Sequence, residues 1–244
     1  MKPTITSLQH PLVKHLTKLR VDSSYRYAEQ SLVFTGAKPI SEVLPYVKKL
    51  IYAENCSSFL DSSAETWIVS EAVMRKISGL VTPEGVITEV RMPSLKPLQN
   101  CQHLLIFDGI SDPGNMGTLM RTALAFGWDG IFVLPGSCDL FNEKVIRAAR
   151  GAHFKIPLFQ GSIKELKELI AEQHLLPLVA DLQGCEPREI TTQTKKALVM
   201  GNEAHGPSQA IKEFCTSVTL TMTDQMESLN VAVAGGILLY LLKK

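Results

Sequence analysis

No Cys-x-x-Cys pair occurs in the 244 residues. The five cysteines, Cys56, Cys101, Cys138, Cys185 and Cys215, are odd in number and widely spaced. That pattern supports neither a zinc ribbon nor dithiol redox chemistry. Reduced thiols in a cytoplasmic protein are the simplest reading, with no metal expected. Residues 1–9 lack the apolar core of a secretion signal. The longest apolar run, 229–242, falls short of the roughly 20 residues of a membrane span and contains Gly235 and Gly236, so it reads as a buried helix. There is no Walker loop, no good G-x-G-x-x-G, no internal repeat and no low-complexity tract. The missing glycine fingerprint argues against a nucleotide-dependent oxidoreductase.

Net charge is also nearly absent, at +1. The distribution says a little more. Residues 1–100 hold 12 Lys+Arg against 9 Asp+Glu. The first thirty include Lys2, Lys14, Lys18, Arg20 and Arg26 against Asp22 and Glu29. That end is either an RNA-facing patch or a solvated helix face. What is present is ordinary for a globular chain: 45% hydrophobic and 20% charged residues.

Apolar periodicity divides the chain. Pro11 opens a helix over 11–20, with Leu12, Leu16 and Leu19 on one face. Strands over 32–34, 50–53, 66–69 and 85–90 alternate with helices over 37–44 and 71–77. Residues 1–91 thus read as a small α/β domain. Residues 92–101, with Pro93 and Pro97, read as a linker. Across 102–244 the alternation restarts, with strands over 103–107, 131–134, 176–180, 197–200 and 218–221. Helices are expected over 116–126, 142–150, 162–173, 207–214 and 228–242. Such alternation predicts a parallel sheet covered on both faces.

In such sheets ligands bind beyond the carboxyl ends of the strands. Three loops there are dense in glycine and polar residues. Residues 108–121 (DGISDPGNMGTLMR) join a strand to a helix, and Gly114 and Gly117 allow close backbone approach to a ligand. Arg121 lies about one turn inside the helix, six residues after Asn115. Residues 198–208 (LVMGNEAHGPS) bend twice and expose backbone groups suited to an adenine or an amino-acid moiety. His205 by itself signals little. Residues 221–234 (TMTDQMESLNVAVA) lead into an apolar helix. Ser228 suits its N-cap, and Asn230 in the first turn lacks a structural reason. Each loop alone also has a structural explanation as a turn or a cap.

Together the loops resemble the SpoU (TrmH-like) family of RNA methyltransferases, within the SPOUT superfamily. The matching stretches are DPGNMGTLMRTALAFG (112–127), VMGNEAHG (199–206) and ESLNVAVA (227–234). The resemblance is strong over 101–244, and the first 95 residues look only loosely like a ribosomal-protein-like RNA-binding domain. It implies an α/β fold whose C-terminal parallel-sheet domain is threaded into a deep trefoil knot, and a homodimer whose sites are completed across the interface. It implies S-adenosyl-L-methionine held by Gly201, Asn202, Leu220, Met222, Leu229, Val179 and Ala180. Methyl transfer to a ribose 2′-hydroxyl of rRNA or tRNA would then involve Arg121, Asn115, Glu203, Ser228 and Asn230. The family arginine, here Arg121, is often proposed as the base. A guanidinium pKa above about 12 makes a phosphate clamp the easier role. Arg147 and Arg150 are either further phosphate contacts or a solvated helix face. Base methylation, or an RNA-binding assembly factor without catalysis, are the alternatives.

Overall fold

In a computed structural model, residues 3–56, 62–190 and 195–243 are described; Lys2 of the basic N-terminal set lies outside them. The chain forms two compact units. The first comprises Met1–Pro93 together with Phe141–Gly151, and the second Ser94–Leu140 with Ala152–Lys244.

The first unit runs α1 (Pro11–Val21), α2 (Ser23–Glu29), β1 (Ser31–Thr35), α3 (Ala37–Ser41), β2 (Val47–Ala53), β3 (Glu65–Val69), α4 (Glu71–Ser78) and β4 (Val86–Arg91). Its sheet has the order β1-β4-β2-β3, parallel only between β2 and β3. The face of α1 anticipated from spacing is the one buried, through Leu12, Leu16 and Leu19. Helix α2 carries too few apolar residues to show a period, which is why its sequence gives no helical signal. Asp22 caps it by accepting from the Tyr25 N–H. The buried Arg26 then donates to the Leu19 and Arg20 carbonyls, satisfying the orphan end of α1.

Glu89 of β4 is 2% exposed. Burial pushes its pKa up, but hydrogen bonds from His15 and Lys49 and the Lys49 charge outweigh that and hold it at about 2. A buried carboxylate needs this pairing to remain charged.

Residues 141–151, expected to fall within the second domain, cluster with the first unit. Phe141 packs edge-on against Tyr27, with centroids 5.9 Å apart. Arg20 meets Glu143 at 3.0 Å. The helix Glu143–Ala149 (α6 in chain order) therefore belongs here. No local pattern reports such a long-range return of the chain.

The second unit contains β5 (His103–Asp108), α5 (Pro113–Ala125), β6 (Gly130–Val133), β7 (Leu158–Gln160), α7 (Ile163–Gln173), β8 (Leu176–Cys185), β9 (Lys196–Gly201), α8 (Gln209–Lys212), β10 (Thr216–Val218) and α9 (Val231–Leu242). Its six strands are all parallel, in the order β10-β8-β9-β5-β6-β7. β5 and β9 are buried along almost their whole length, as expected where helices cover both faces. Among the described residues no helix is long and apolar enough to cross a membrane.

Several boundaries differ from expectation. α5 begins at Pro113, because Asp112 caps it by accepting from the Asn115 N–H at 2.8 Å and Pro113 suits the first helical position. β8 continues past residue 180 to Cys185 through half-buried and exposed positions with no apolar period. This extension pairs with β10 after a register shift, and β10 itself ends at Val218 instead of running over 218–221. β7 has three residues, too few for any period to be read. α9 begins at Val231, three residues later than expected. A Cβ on Gly235 would lie 2.4 Å from Leu119 Cδ2, so this glycine lets α9 approach α5 closely.

Candidate active site at the carboxyl edge of the second sheet

Asp108 at the end of β5 stands in register with Gly201 at the end of β9. Two of the three polar loops therefore leave the sheet side by side. Asn202 Nδ2 donates to the Gly109 carbonyl at 2.7 Å. The Asp108 carboxylate accepts from the Ser208 N–H at 2.6 Å. Asn202 and Gly206 exchange both backbone hydrogen bonds, closing a tight turn. Asn202 Oδ1 fills it by accepting from the Ala204 and His205 N–H groups. Gly201 has no alternative at this point. A Cβ there would sit 2.3 Å from Pro207 N and 2.6 Å from Pro207 Cα.

Glu203 leaves this turn and becomes a hub. One carboxylate oxygen accepts from the Ser111 N–H (2.9 Å) and the Ser111 hydroxyl (2.8 Å). The other accepts from the Asp112 N–H and Asn115 Nδ2, both at 3.1 Å. Burial raises its pKa, but the hydrogen bonds from Ser111 and Asn115 prevail and hold it at about 2. A carboxylate so committed is a poor proton acceptor at neutral pH. Its work is to fix the first loop against the second.

Asn115 passes the connection onward. Its Oδ1 accepts from Asn230 Nδ2 at 3.0 Å. Asn230 is the N-cap of α9, its Oδ1 accepting from the Ala232 and Val233 N–H groups. This corrects the expectation that Ser228 caps the helix with Asn230 in its first turn. Ser228 is exposed, one turn outside the helix. Asn230 thus has two tasks: its oxygen caps α9, and its amide joins the third loop to the first.

These loops enclose a cavity of about 810 Å³. Of the expected site residues, Asn115, Ala180, Gly201, Asn202, Glu203, Leu220, Met222, Ser228, Leu229 and Asn230 line it. Two others do not. Val179 is wholly buried in the core beneath the sheet's carboxyl edge, because alternate residues of a strand face opposite ways. Arg121 is exposed on α5 and does not line the cavity of its own chain. Ser111, Asp112, Asp181, Leu182 and Thr219 line the cavity without having been singled out. The Asp112-Pro113 cap signal was available for the first two. The others depended on the extension of β8, where Thr219 donates through its N–H to the Cys185 carbonyl and through its hydroxyl to the Leu182 carbonyl.

The double role of Asn230 is separable. Asn230→Asp keeps the cap oxygen but loses the donor to Asn115. Its melting temperature is expected to stay close to wild type while turnover falls about tenfold, the cost of one well-placed hydrogen bond. Asn230→Ala is expected to lose stability as well, by about 1 kcal/mol. Thermal denaturation and steady-state rates of the two variants check this. Equal stability losses in both would contradict the division of labour.

The chain is similar to known proteins along almost its whole length. Residues 102–240 match the SpoU rRNA Methylase family. The 23S rRNA (guanosine(2553)-2′-O)-methyltransferase RlmP of Bacillus subtilis is 31% identical, over 98% of this chain and 98% of its own. An uncharacterized tRNA/rRNA methyltransferase of Synechocystis is 30% identical, over 97% and 92% respectively. The AdoMet-bound rRNA methyltransferase of Sinorhizobium meliloti superposes with a TM-score of 0.86 at 25% identity, covering 99% of this chain and 97% of that one. With the motif-bearing unit matched almost throughout and a relative aligned nearly end to end, the chain belongs to the SpoU rRNA methylase family.

Proposed function

We propose that the protein transfers the methyl group of S-adenosylmethionine to a ribose 2′-hydroxyl in ribosomal or transfer RNA. The observation that carries this is the Glu203–Asn115–Asn230 bridge, which ties three loops into one wall of a cavity at the carboxyl edge of the sheet. The substrate class follows the relatives, of which the Bacillus subtilis enzyme is named for 2′-O-methylation of 23S rRNA.

The cavity suits the cofactor. Its volume lies within the range of small-molecule sites, roughly 300–1,000 Å³. Apolar side chains of Leu220, Met222 and Leu229 line the cavity together with the backbone-rich bend at Gly201 and Asn202 and with Ala180 of β8. Bound there, S-adenosylmethionine supplies an electrophilic methyl group. Asn115, Ser228 and Asn230 order the ribose, and Glu203 holds Asn115 in place. Arg121 clamps the adjoining phosphate and stabilises the alkoxide that develops as the hydroxyl loses its proton.

Arg121, exposed and outside its own chain's cavity, serves the site of a second copy. Support for a homodimer comes from α9. Val233, Ile237, Tyr240 and Leu241 are between 40% and 53% exposed on an otherwise apolar helix packed against α5. Phe126, just beyond α5, extends this face and packs at a tilt against Tyr240 with ring centroids 5.4 Å apart. Exposed apolar side chains grouped on one face support the reading of this face as an interface.

The chain that builds the cavity is threaded as a deep trefoil knot, a rare departure from unknotted folds. In support, the cavity gathers residues around positions 180, 201, 220 and 230, and the strand order is β10-β8-β9-β5. The first unit serves as a ribosomal-protein-like RNA-binding domain.

Incubation of the protein with methyl-labelled S-adenosylmethionine and rRNA or tRNA, followed by nucleoside analysis, tests the reading. Label is expected on 2′-O-methylribose. Label on a base would replace it with base methylation. Cofactor binding with no transfer to any RNA would favour a silent assembly factor.

A further inference from the structure

The first unit contains a second cleft, of about 300 Å³. Thr35 ends β1, followed by Gly36 in the β1–α3 turn and Lys38 within α3, and all three line the cleft. Arg147 of α6 and Arg150 at its C-cap also line it. Glu84 is the only carboxylate among its lining residues, so three cations face one anion.

Two features set these cations apart from a solvated charge run. First, their charges are uncommitted. Arg20 is paired with Glu143, and Arg26 is spent on helix-end carbonyls. Among the described residues the side chains of Lys38, Arg147 and Arg150 make no hydrogen bond or ion pair. Second, Arg150 occupies an unusual backbone position. It is the C-cap of α6 with φ 47° and ψ 52°, the left-handed conformation that favours glycine or asparagine. Gly151 follows with φ +81°. A long cationic side chain is disfavoured there by its backbone, yet Arg150 lines the cleft together with Lys38. An outlier of this kind is grounds for a functional hypothesis.

We propose that this cleft binds a backbone phosphate of the RNA substrate. Guanidinium groups present planar pairs of donors that match phosphate oxygens, and Lys38 and the Thr35 hydroxyl add further donors. Such a contact fixes the register of the RNA on the first unit and carries no base information. The inference rests on the reading that RNA is the substrate.

The test is filter binding of a radiolabelled 23S rRNA transcript over a salt series, using Arg150→Gly, Arg147→Gln and, as a control, Lys144→Gln. Lys144 is exposed on the same helix but does not line the cleft. Arg150→Gly removes the guanidinium while relieving the left-handed residue, so its melting temperature is expected to be unchanged or higher. Both arginine variants are expected to bind RNA about tenfold more weakly. Each is expected to reduce the salt slope by about 0.7 to 0.9, the share of one phosphate. KM for RNA is expected to rise with S-adenosylmethionine affinity unchanged, and Lys144→Gln is expected to behave as wild type. If wild type methylates RNA but the arginine variants keep its affinity and slope, the cleft proposal fails alone. It also fails if Lys144→Gln loses as much as they do, because the effect is then a diffuse charged face. If wild type transfers no methyl group to any RNA, the functional reading fails and the cleft proposal falls with it.

Discussion

Gly201→Ala is expected to abolish useful binding of S-adenosylmethionine. The reason is not backbone conformation, since Gly201 is absent from the positive-φ glycines. It is space. The added methyl would stand 2.3 Å from Pro207 N and 2.7 Å from Gly206 C. Backbone atoms cannot rotate aside as a side chain can, so the whole turn of residues 202–206 must shift. Forcing a group into such a site costs on the order of 3 kcal/mol. Were that cost borne at the cofactor-competent geometry, affinity would fall by about a hundredfold. The turn also carries Glu203, so displacing it breaks the four hydrogen bonds that hold the first loop. Gly206→Ala is the informative contrast. Gly206 has φ +69° but nothing within 4 Å of its Cβ position, so only the backbone penalty of roughly 1 kcal/mol applies. Calorimetric titration with S-adenosylmethionine should rank Gly201→Ala far below Gly206→Ala. Equal losses, or a Gly201→Ala protein that binds normally, would show that the bend is not the cofactor's seat.

Arg121→Ala is expected to reduce turnover by about a thousandfold while leaving cofactor affinity and stability close to wild type. Arg121 is exposed and does not line its own chain's cavity. Its removal therefore disturbs neither core nor pocket, and exposed substitutions of this kind change stability by about 0.5 kcal/mol or less. Loss of one preorganised charge aimed at a developing oxyanion costs a factor of about a hundred to a thousand, and loss of the phosphate clamp adds to it. The geometry also makes a statement about assembly. If Arg121 works in the cavity of a second copy, mixing Arg121→Ala and Gly201→Ala protomers must regenerate activity that neither possesses alone. Each mixed dimer pairs an intact Gly201 cavity with an intact arginine from the other chain. No recovery on unfolding and refolding the mixture together would rule out a site shared across an interface. A loss of cofactor affinity in Arg121→Ala would place the residue on the wrong side of the site.

Much of this protein is legible in its amino-acid sequence. The strands β5 and β9 are continuous apolar runs that stop at Asp108 and Gly201, and those stops mark where polar loops leave a parallel sheet. Strand–helix alternation and Pro11 at the start of α1 are local signals, encoded within a few residues. The three motif stretches sufficed for the family because their residue types and spacing are specific in combination.

Local signals fail where an element is short, polar or held by distant partners. Helix α2 is organised by an arginine that caps another helix. The outer part of β8 is a strand only because β10 lies beside it. α6 joins the first unit through Phe141 and Glu143, contacts more than a hundred residues away in sequence. Within the site, the sequence specified which polar residues were available and that their loops would emerge at one edge of a sheet. Only the tertiary structure decided their roles. It made Asn230 the cap in place of Ser228, turned Val179 into the core, and committed both oxygens of Glu203 to loop-holding hydrogen bonds. It also left Arg121 outside its own cavity. The physical reason is that strand and helix periods record which face is apolar, whereas a side chain's hydrogen-bond partners are set by loops that meet from opposite ends of the chain.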